Sequence, residues 1–378
     1  MTSSPSTAII DLAAYRSNLD LVRRFIGDKA AIIPVIKANA YGHGLEAIAR
    51  TAAAAGAPTL GVANAQEGVA LRECGIATPI LVLSAPPRDH LSLFIEHQLS
   101  LMVTDAALAE AMGALAHEAN RVVPVHCKVD TGMGRQGMAP DDALETIQYI
   151  SRLTHIDIQG VCTHFPCADI VEDGFSYGQI KSFKQLIKQI DKMGIPYEMA
   201  HAANSAAIVN YRESVFDAVR PGLISYGVWP SDASANQTLL KRVLRWETTV
   251  VQTRILKTGD TIGYGRAYSC HSPTKTAVLP VGYADGYKYQ LSNKAEVLIR
   301  GRRCPVRGAV SMDQIVVDVS ALSTVSCGDV ATLIGADGDE VITVEELAQR
   351  AGVIPYDMLT GIGPRVRRVY VGQDKNNA

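Results

Sequence analysis

Up to about residue 230 the chain alternates between short apolar runs and segments of helical periodicity, and nothing else in it constrains the fold as strongly. The runs are 31–36 AIIPVI, 59–63 TLGVA, 80–84 ILVLS, 99–103 LSLMV, 123–129 VPVHCKV, 156–163 IDIQGVCT, 197–201 YEMAH and 217–221 DAVRP. Between them lie stretches such as PDDALETIQYISRL and YGQIKSFKQLIKQIDKMG, the second stopping at Gly194, a residue suited to end a helix. Strand–helix alternation implies a parallel sheet. Eight strands in one unbroken series predict a (β/α)8 barrel of TIM type, with a doubly wound sheet as the alternative.

From about residue 236 the texture changes. RWETTVVQTRILKTGD, TAVLPVGYADG, AEVLIRGRRCPVRG and DQIVVDVSAL are rich in Val, Ile and Thr with turn residues between, the pattern of antiparallel β structure. One helix interrupts, TVEELAQRAG, with Thr343 as its cap, Glu346 three residues on and Gly352 at its end. A length of 378 residues suits two domains. The expected division is a barrel over residues 8–235 and a mostly β domain over residues 236–378.

Composition removes several classes of function. With 36 basic and 38 acidic residues and a net charge of -2, the chain has no electrostatic case for nucleic acid or an anionic membrane surface. No window is apolar for long enough to span a bilayer, and the N-terminus lacks the basic and apolar regions of a secretory signal. Seven cysteines, scattered and odd in number, fit reduced thiols in a cytoplasm. CTHFPC (Cys162, His164, Cys167) lacks a second ligand pair of matching type, so no metal is expected.

In such a barrel the chemistry sits at the C-terminal ends of the strands. Strand 1 ends in Lys37. A lysine closing a core strand ordinarily snorkels to water, but a partly desolvated one loses its proton easily and becomes a nucleophile. Strand 5 runs into KVDTGMGRQG, with Lys128, Asp130 and Arg135. Strand 6 ends at His164, strand 7 in HAANSAA with His201, Asn204 and Ser205, and strand 8 in RPG with Arg220 and Gly222. Each has an ordinary explanation when taken alone: a half-buried histidine, an arginine under the rim, a strand lysine, a glycine loop. Their joint placement carries the functional reading. The loops after strands 7 and 8 are where barrels often hold phosphate. A nucleophilic lysine beside a phosphate site suggests pyridoxal phosphate (PLP), and a Schiff-base aldolase also fits at this point.

The motif VIKANAYGHG resembles the PLP-lysine signature of alanine racemases. KVDTGMGRQG, THF, HAANSAA, RPG, GYGRAY, GYADGY and SMDQ resemble that family's other motifs, in order, from about residue 8 to 370. The resemblance implies a PLP barrel followed by a β domain, and an enzyme that interconverts L- and D-alanine and so supplies D-alanine for peptidoglycan. It implies that Lys37 binds PLP covalently and then serves as one acid/base, with Tyr264 as the base on the opposite face. Arg220 would face the pyridine nitrogen. Tyr41, Ser205, Gly222 and Tyr356 would bind the phosphate with the Leu223 backbone beside them, and Asn204 and His164 would also belong to the cofactor cradle. Arg135 would lie near the substrate carboxylate, Met312 and Tyr283 would line the substrate pocket with Asp313 close by, and His164 would link Tyr264 to Arg220. Lys128 matches a lysine that the family commonly carries as a carbamate. The implied assembly is a homodimer with shared sites, Lys37 from one subunit meeting Tyr264 and Met312 from the other.

These residue types suit the chemistry. PLP acts as an electron sink for a Cα carbanion, and inversion needs a base on each face. A neutral phenol is a poor base at neutral pH, so the mechanism calls for positive charge near the tyrosine. Arginine lends no proton to a pyridine nitrogen. The chain departs from the family pattern at Pro166, Ala309 and Ser311, none of which is a catalytic group. Rival readings are a broader amino-acid or serine racemase, a PLP decarboxylase and a PLP carrier. A decarboxylase typically presents an acidic partner where this chain has Arg220. A carrier resembles the barrel alone, without the β domain that bears Tyr264.

Overall fold

The computed structural model describes residues 5–27, 30–171, 174–230 and 239–373. The expected domain boundary at 235/236 lies outside the described residues. The chain forms two units, one of residues 16–40 and 45–240, the other of residues 1–15, 41–44 and 241–378.

The first unit is the barrel. Its strands are Ala31–Ile32, Leu60–Val62, Ile80–Val82, Ser100–Val103, Val123–Lys128, Ile156–Cys162, Met199–His201 and Ala218–Val219. All eight expected runs therefore carry a strand. They pair in parallel in the order 1-8-7-6-5-4-3-2, without the reversal of strand order that a doubly wound sheet requires. The circle closes where Val35 bridges Gly61, with Ile36 N–H donating to Gly61 O at 2.8 Å and Gly61 N–H to Pro34 O at 2.9 Å. Strands 2, 3 and 4 are buried at every residue, as expected of strands covered on both faces. The helix Phe175–Lys192 buries Ile180, Phe183, Leu186 and Ile190, a stripe at helical spacing. It leads to Gly194 at φ +66°.

The second unit is mostly β. One sheet has the order Arg302–Pro305, Glu296–Ile299, Val330–Asp337, Leu244–Thr249, Ser6–Asp11, Arg367–Val371. A second holds Gln252–Leu256, Thr274–Leu279 and Ile315–Asp318. Pairing is antiparallel except between Ser6–Asp11 and Arg367–Val371. The strand Ser6–Asp11 lies in the stretch expected to open the barrel, yet it pairs with Leu244–Thr249 and Arg367–Val371. Its alternating burial is that of a sheet with one covered face. Trp246, fully buried, donates its indole N–H to Ser6 Oγ at 2.7 Å. Thr343 caps the helix Val344–Ala351 by accepting from Glu346 N–H at 3.0 Å. The Glu346 carboxylate is engaged by Arg303 and Arg350.

Candidate active site

Lys37 follows the barrel strand at a turn of unusual hand. Ala38, Asn39, Ala40 and Tyr41 all have φ of 53–54°. For L-residues this region costs about 1–2 kcal/mol each, so the turn needs outside support. Ala38 N–H donates to Glu67 Oε1 at 2.6 Å, Leu45 N–H to Asn39 Oδ1 at 2.8 Å and Ala40 N–H to Ile36 O at 2.8 Å. Lys37 itself is half-buried. Burial holds its pKa below the usual lysine value, Arg135 lowers it further, and Glu67 opposes both.

Arg220 is buried at the end of strand 8, which pairs with strand 1. Its guanidinium donates to the carbonyls of Thr163 (2.6 Å), His201 (2.9 Å) and Ala202 (3.0 Å), to His201 Nδ1 (2.5 Å) and to His164 Nδ1 (3.3 Å). Guanidinium has donors only, so both imidazoles accept through Nδ1 and keep their proton on Nε2. His201 Nε2–H then donates to His126 Nδ1 at 2.8 Å. Burial first, then Arg220, holds His164 and His201 well below the ordinary histidine pKa. The same two causes push His126 down to about 3.

The basic groups converge. His164 is influenced by Arg220, Lys128, Arg135 and Lys37 together. Lys128 is buried and its pKa is lowered, first by burial. The loop after it is folded around Asp130, whose carboxylate accepts from the amides of Gly132 (3.0 Å), Met133 (2.6 Å) and Arg135 (3.0 Å). This gathers the loop that carries Arg135. After strand 7, Asn204 caps the helix Ser205–Asn210 through Ala207 N–H at 3.0 Å. Ser205 Oγ accepts from Gly222 N–H at 2.9 Å and Ile224 N–H at 3.4 Å. A hydroxyl and two amides gathered at one point suit a phosphate oxygen, with the Leu223 backbone between the two amides. A desolvated lysine, a donor-only guanidinium and this cradle are a donor set that fits PLP.

The β unit carries the remaining candidates. Tyr41 and Tyr356 face each other with ring centroids 5.8 Å apart. Burial raises the Tyr41 pKa, and Tyr356 adds to it, so Tyr41 is a neutral O–H donor. Gly42, at φ +82°, lies so close to Leu359 that a Cβ would sit 2.2 Å from its carbonyl oxygen. Tyr264 stands on a turn between Gly263 (φ +75°) and Gly265 (φ +67°) and is 78% exposed. Tyr283 and Met312 are also exposed. Tyr283 N–H donates to Ser311 O and Ala284 N–H to Met312 O, each at 3.0 Å. Asp313 pairs with Arg365 at 2.8 Å.

Two family models divide the chain between them. The alanine racemase N-terminal domain matches residues 10–230 and the C-terminal domain residues 243–370. The chain belongs to the alanine racemase family. An alanine racemase of Halothermothrix orenii is 40% identical over 366 residues, covering 97% of both chains. One of Desulforamulus reducens is 38% identical, covering 97% of this chain and 99% of that one. Among solved structures, the alanine racemase of Clostridium difficile superposes with a TM-score of 0.94 at 31% identity, over 98% of this chain and 97% of that one. The alanine racemase of Bartonella henselae, solved with covalently bound pyridoxal phosphate, does so at 0.87 and 28% identity, over 98% of this chain and all (100%) of that one.

Within this family fold, the barrel unit holds Lys37, Lys128, Arg135, His164, Asn204, Ser205, Arg220, Gly222 and Leu223, and the β unit holds Tyr41, Tyr264, Tyr283, Met312, Asp313 and Tyr356. Sequence reasoning missed Glu67, His126 and the Ile224 amide. His126 had a signal: it lies two residues before Lys128 on one strand, hence on the same face.

Proposed function

We propose that this chain is a PLP-dependent racemase that interconverts L- and D-alanine with Lys37 and Tyr264 as its two bases. It acts as a cytoplasmic homodimer that supplies D-alanine for peptidoglycan. Residues 8–235 bind the cofactor, and residues 236–378 complete the partner's site. The observation that carries the reading is the convergence of Lys37, Lys128, Arg135 and Arg220 on His164. Such a mouth suits a phosphorylated cofactor and a carboxylate substrate. Seven cysteines scattered without a repeated spacing suit a reducing compartment.

PLP, when bound, supplies the electron sink for the Cα carbanion of an amino acid. The chain's own groups do the rest. Lys37, whose pKa burial holds below the usual lysine value, would hold the cofactor and would carry a proton on one face of Cα. Arg220 offers N–H and no removable proton, so it would face a pyridine nitrogen as a donor without protonating it. Ser205, Gly222, Leu223, Tyr41 and Tyr356 would hold the phosphate, with Asn204 fixing the Ser205 helix. Arg135 receives the substrate carboxylate. His164, with Nδ1 taken by Arg220, offers Nε2–H to Tyr264. Met312, Tyr283 and Asp313 bound the substrate side.

Borohydride reduction of the PLP-loaded enzyme followed by peptide mapping should mark Lys37; label on another lysine overturns the assignment. Chiral analysis should show D-alanine formed from L-alanine only when PLP is present. One extra methylene is worth only ~1–3 kcal/mol of discrimination, so slow serine turnover is expected and equal rates on lysine or arginine are not.

We also propose that Lys128 is carbamylated by carbon dioxide. Carbon dioxide adds to the neutral amine, forming an N–C bond and releasing one proton to solvent to leave the carbamate anion, and burial of Lys128 favours the neutral amine. The carbamate replaces a cation near Arg135 with an anion that holds it. Lys128→Ala should lose activity and regain part of it with added small carboxylates. Full activity without them, or density in a well-ordered crystal ending at the Lys128 Nζ, argues against the carbamate.

A further inference from the structure

Glu67 is not among the residues that the motifs single out, yet both oxygens of its carboxylate are bound to backbone at the mouth of the barrel. Oε2 accepts from Ala63 N–H at 2.8 Å and Oε1 from Ala38 N–H at 2.6 Å. Ala63 follows barrel strand 2, and Ala38 is the first left-handed residue after Lys37. One carboxylate therefore ties the ends of two strands together. The helix Ala65–Glu73 that carries Glu67 is itself fixed, since Asn64 Oδ1 accepts from Glu67 N–H at 2.9 Å. A capping role accounts for the bond to Ala63, which precedes that helix. It does not account for the bond to Ala38, which lies in the strained turn after another strand.

We propose that Glu67 is a positioning residue for Lys37: its carboxylate holds the left-handed turn that carries the lysine and keeps a negative charge near the amine. The proposal rests on the reading of Lys37 as the PLP-bearing lysine. The charged and titratable groups that face Lys37 are Glu67 on the helix after strand 2, Arg135 on the loop after strand 5 and His164 at the end of strand 6. His164 is neutral and Arg135 is a cation, so Glu67 is the one anion of the three. It favours the ammonium form against burial and Arg135.

Glu67→Gln retains the size of the side chain but leaves one carbonyl oxygen to serve two N–H groups, and removes the charge. The test follows the rate of covalent PLP uptake against pH in the full-length protein, stripped of cofactor and then given PLP. That rate reports the neutral fraction of the Lys37 amine. In Glu67→Gln the midpoint of the profile should move to lower pH, and PLP retention should weaken about tenfold or more, as expected for losing a hydrogen bond to a charged group. A turn that merely loosened would expose Lys37 to water and move the midpoint to higher pH. An unchanged or raised midpoint therefore overturns the proposal. Glu67→Asp keeps the charge and shortens the reach. It should weaken retention while leaving the midpoint near that of the wild type, and retention equal to wild type overturns the proposal even if Glu67→Gln fails to fold. Borohydride mapping separates the two readings. Wild-type label away from Lys37 defeats the assignment of the lysine, whereas label on Lys37 with an unmoved Glu67→Gln profile defeats only the role of Glu67.

Discussion

His126 shows what a buried titratable group costs as the pH falls. Its imidazole accepts a hydrogen bond from His201, and burial lowers its pKa from 6.5 to about 3. The unfolded chain takes up a proton as the pH drops through the ordinary value, while the folded chain does so only near pH 3. Stability from this residue is thus fully present above about pH 6.5 and lost as the pH falls through the window between the two values. Within it the slope is about 1.4 kcal/mol per pH unit for one proton. His126→Asn keeps an acceptor for His201 and removes the titration. Unfolding free energies measured in urea between pH 6 and 4 should then fall less steeply, by about one proton; an unchanged slope would mean that His126 already titrates normally in the fold. At this scale the sequence was partly legible. Lys37, His164 and Arg220 stood out because they are polar residues at the ends of core strands. The hand of the turn after Lys37 did not. Ala-Asn-Ala-Tyr reads as helix-compatible, no glycine marks the four positive φ values, and the group that supports the turn, Glu67, lies 29 residues along the chain from Ala38.

Elements are legible to the extent that their partners are near in sequence. All eight barrel strands followed from alternation because each parallel crossover is local. Only Ala31–Ile32 of the apolar run 31–36 joins the regular ladder, since Pro34 has no N–H to give and the run goes on through the bridge from Val35 to Gly61. The strand Ser6–Asp11 was not legible, because its partners begin at Leu244 and Arg367 and no local pattern points to them. Close approaches are equally non-local. In YGHG, Gly42 has φ +82° and stands against the Leu359 carbonyl, whereas Gly134 has φ +67° with open space around it. Gly134→Ala should cost only the left-handed penalty of about 1–2 kcal/mol. Gly42→Ala adds a backbone clash, and the total should reach about 2–5 kcal/mol. Urea denaturation midpoints of the two variants check this, and equal midpoints would show that the contact at Gly42 relaxes without cost.

At the scale of the whole molecule, the two proposed bases belong to different units, Lys37 to the barrel and Tyr264 to the β unit. Tyr264 is 78% exposed and Met312 52% in the single chain. Bases that must flank one Cα do not work from open solvent, and a tyrosine and a methionine left this exposed on one unit are the kind of residues that an interface covers. A head-to-tail dimer with C2 symmetry would bring Tyr264 and Met312 of each subunit to the Lys37 of the other, forming two equivalent sites at once. Lys37→Ala and Tyr264→Ala should each be nearly inactive as homodimers. Refolded together or co-expressed, they should regain activity, because one site of each mixed dimer receives both bases and the other receives neither. Random pairing makes about half of the dimers mixed, each with one competent site, so recovery should approach about a quarter of wild type if the sites act independently. Differently tagged subunits allow the mixed species to be isolated, and its activity should then approach about half of wild type. A purified mixed dimer without activity would mean that each chain supplies both bases to its own site.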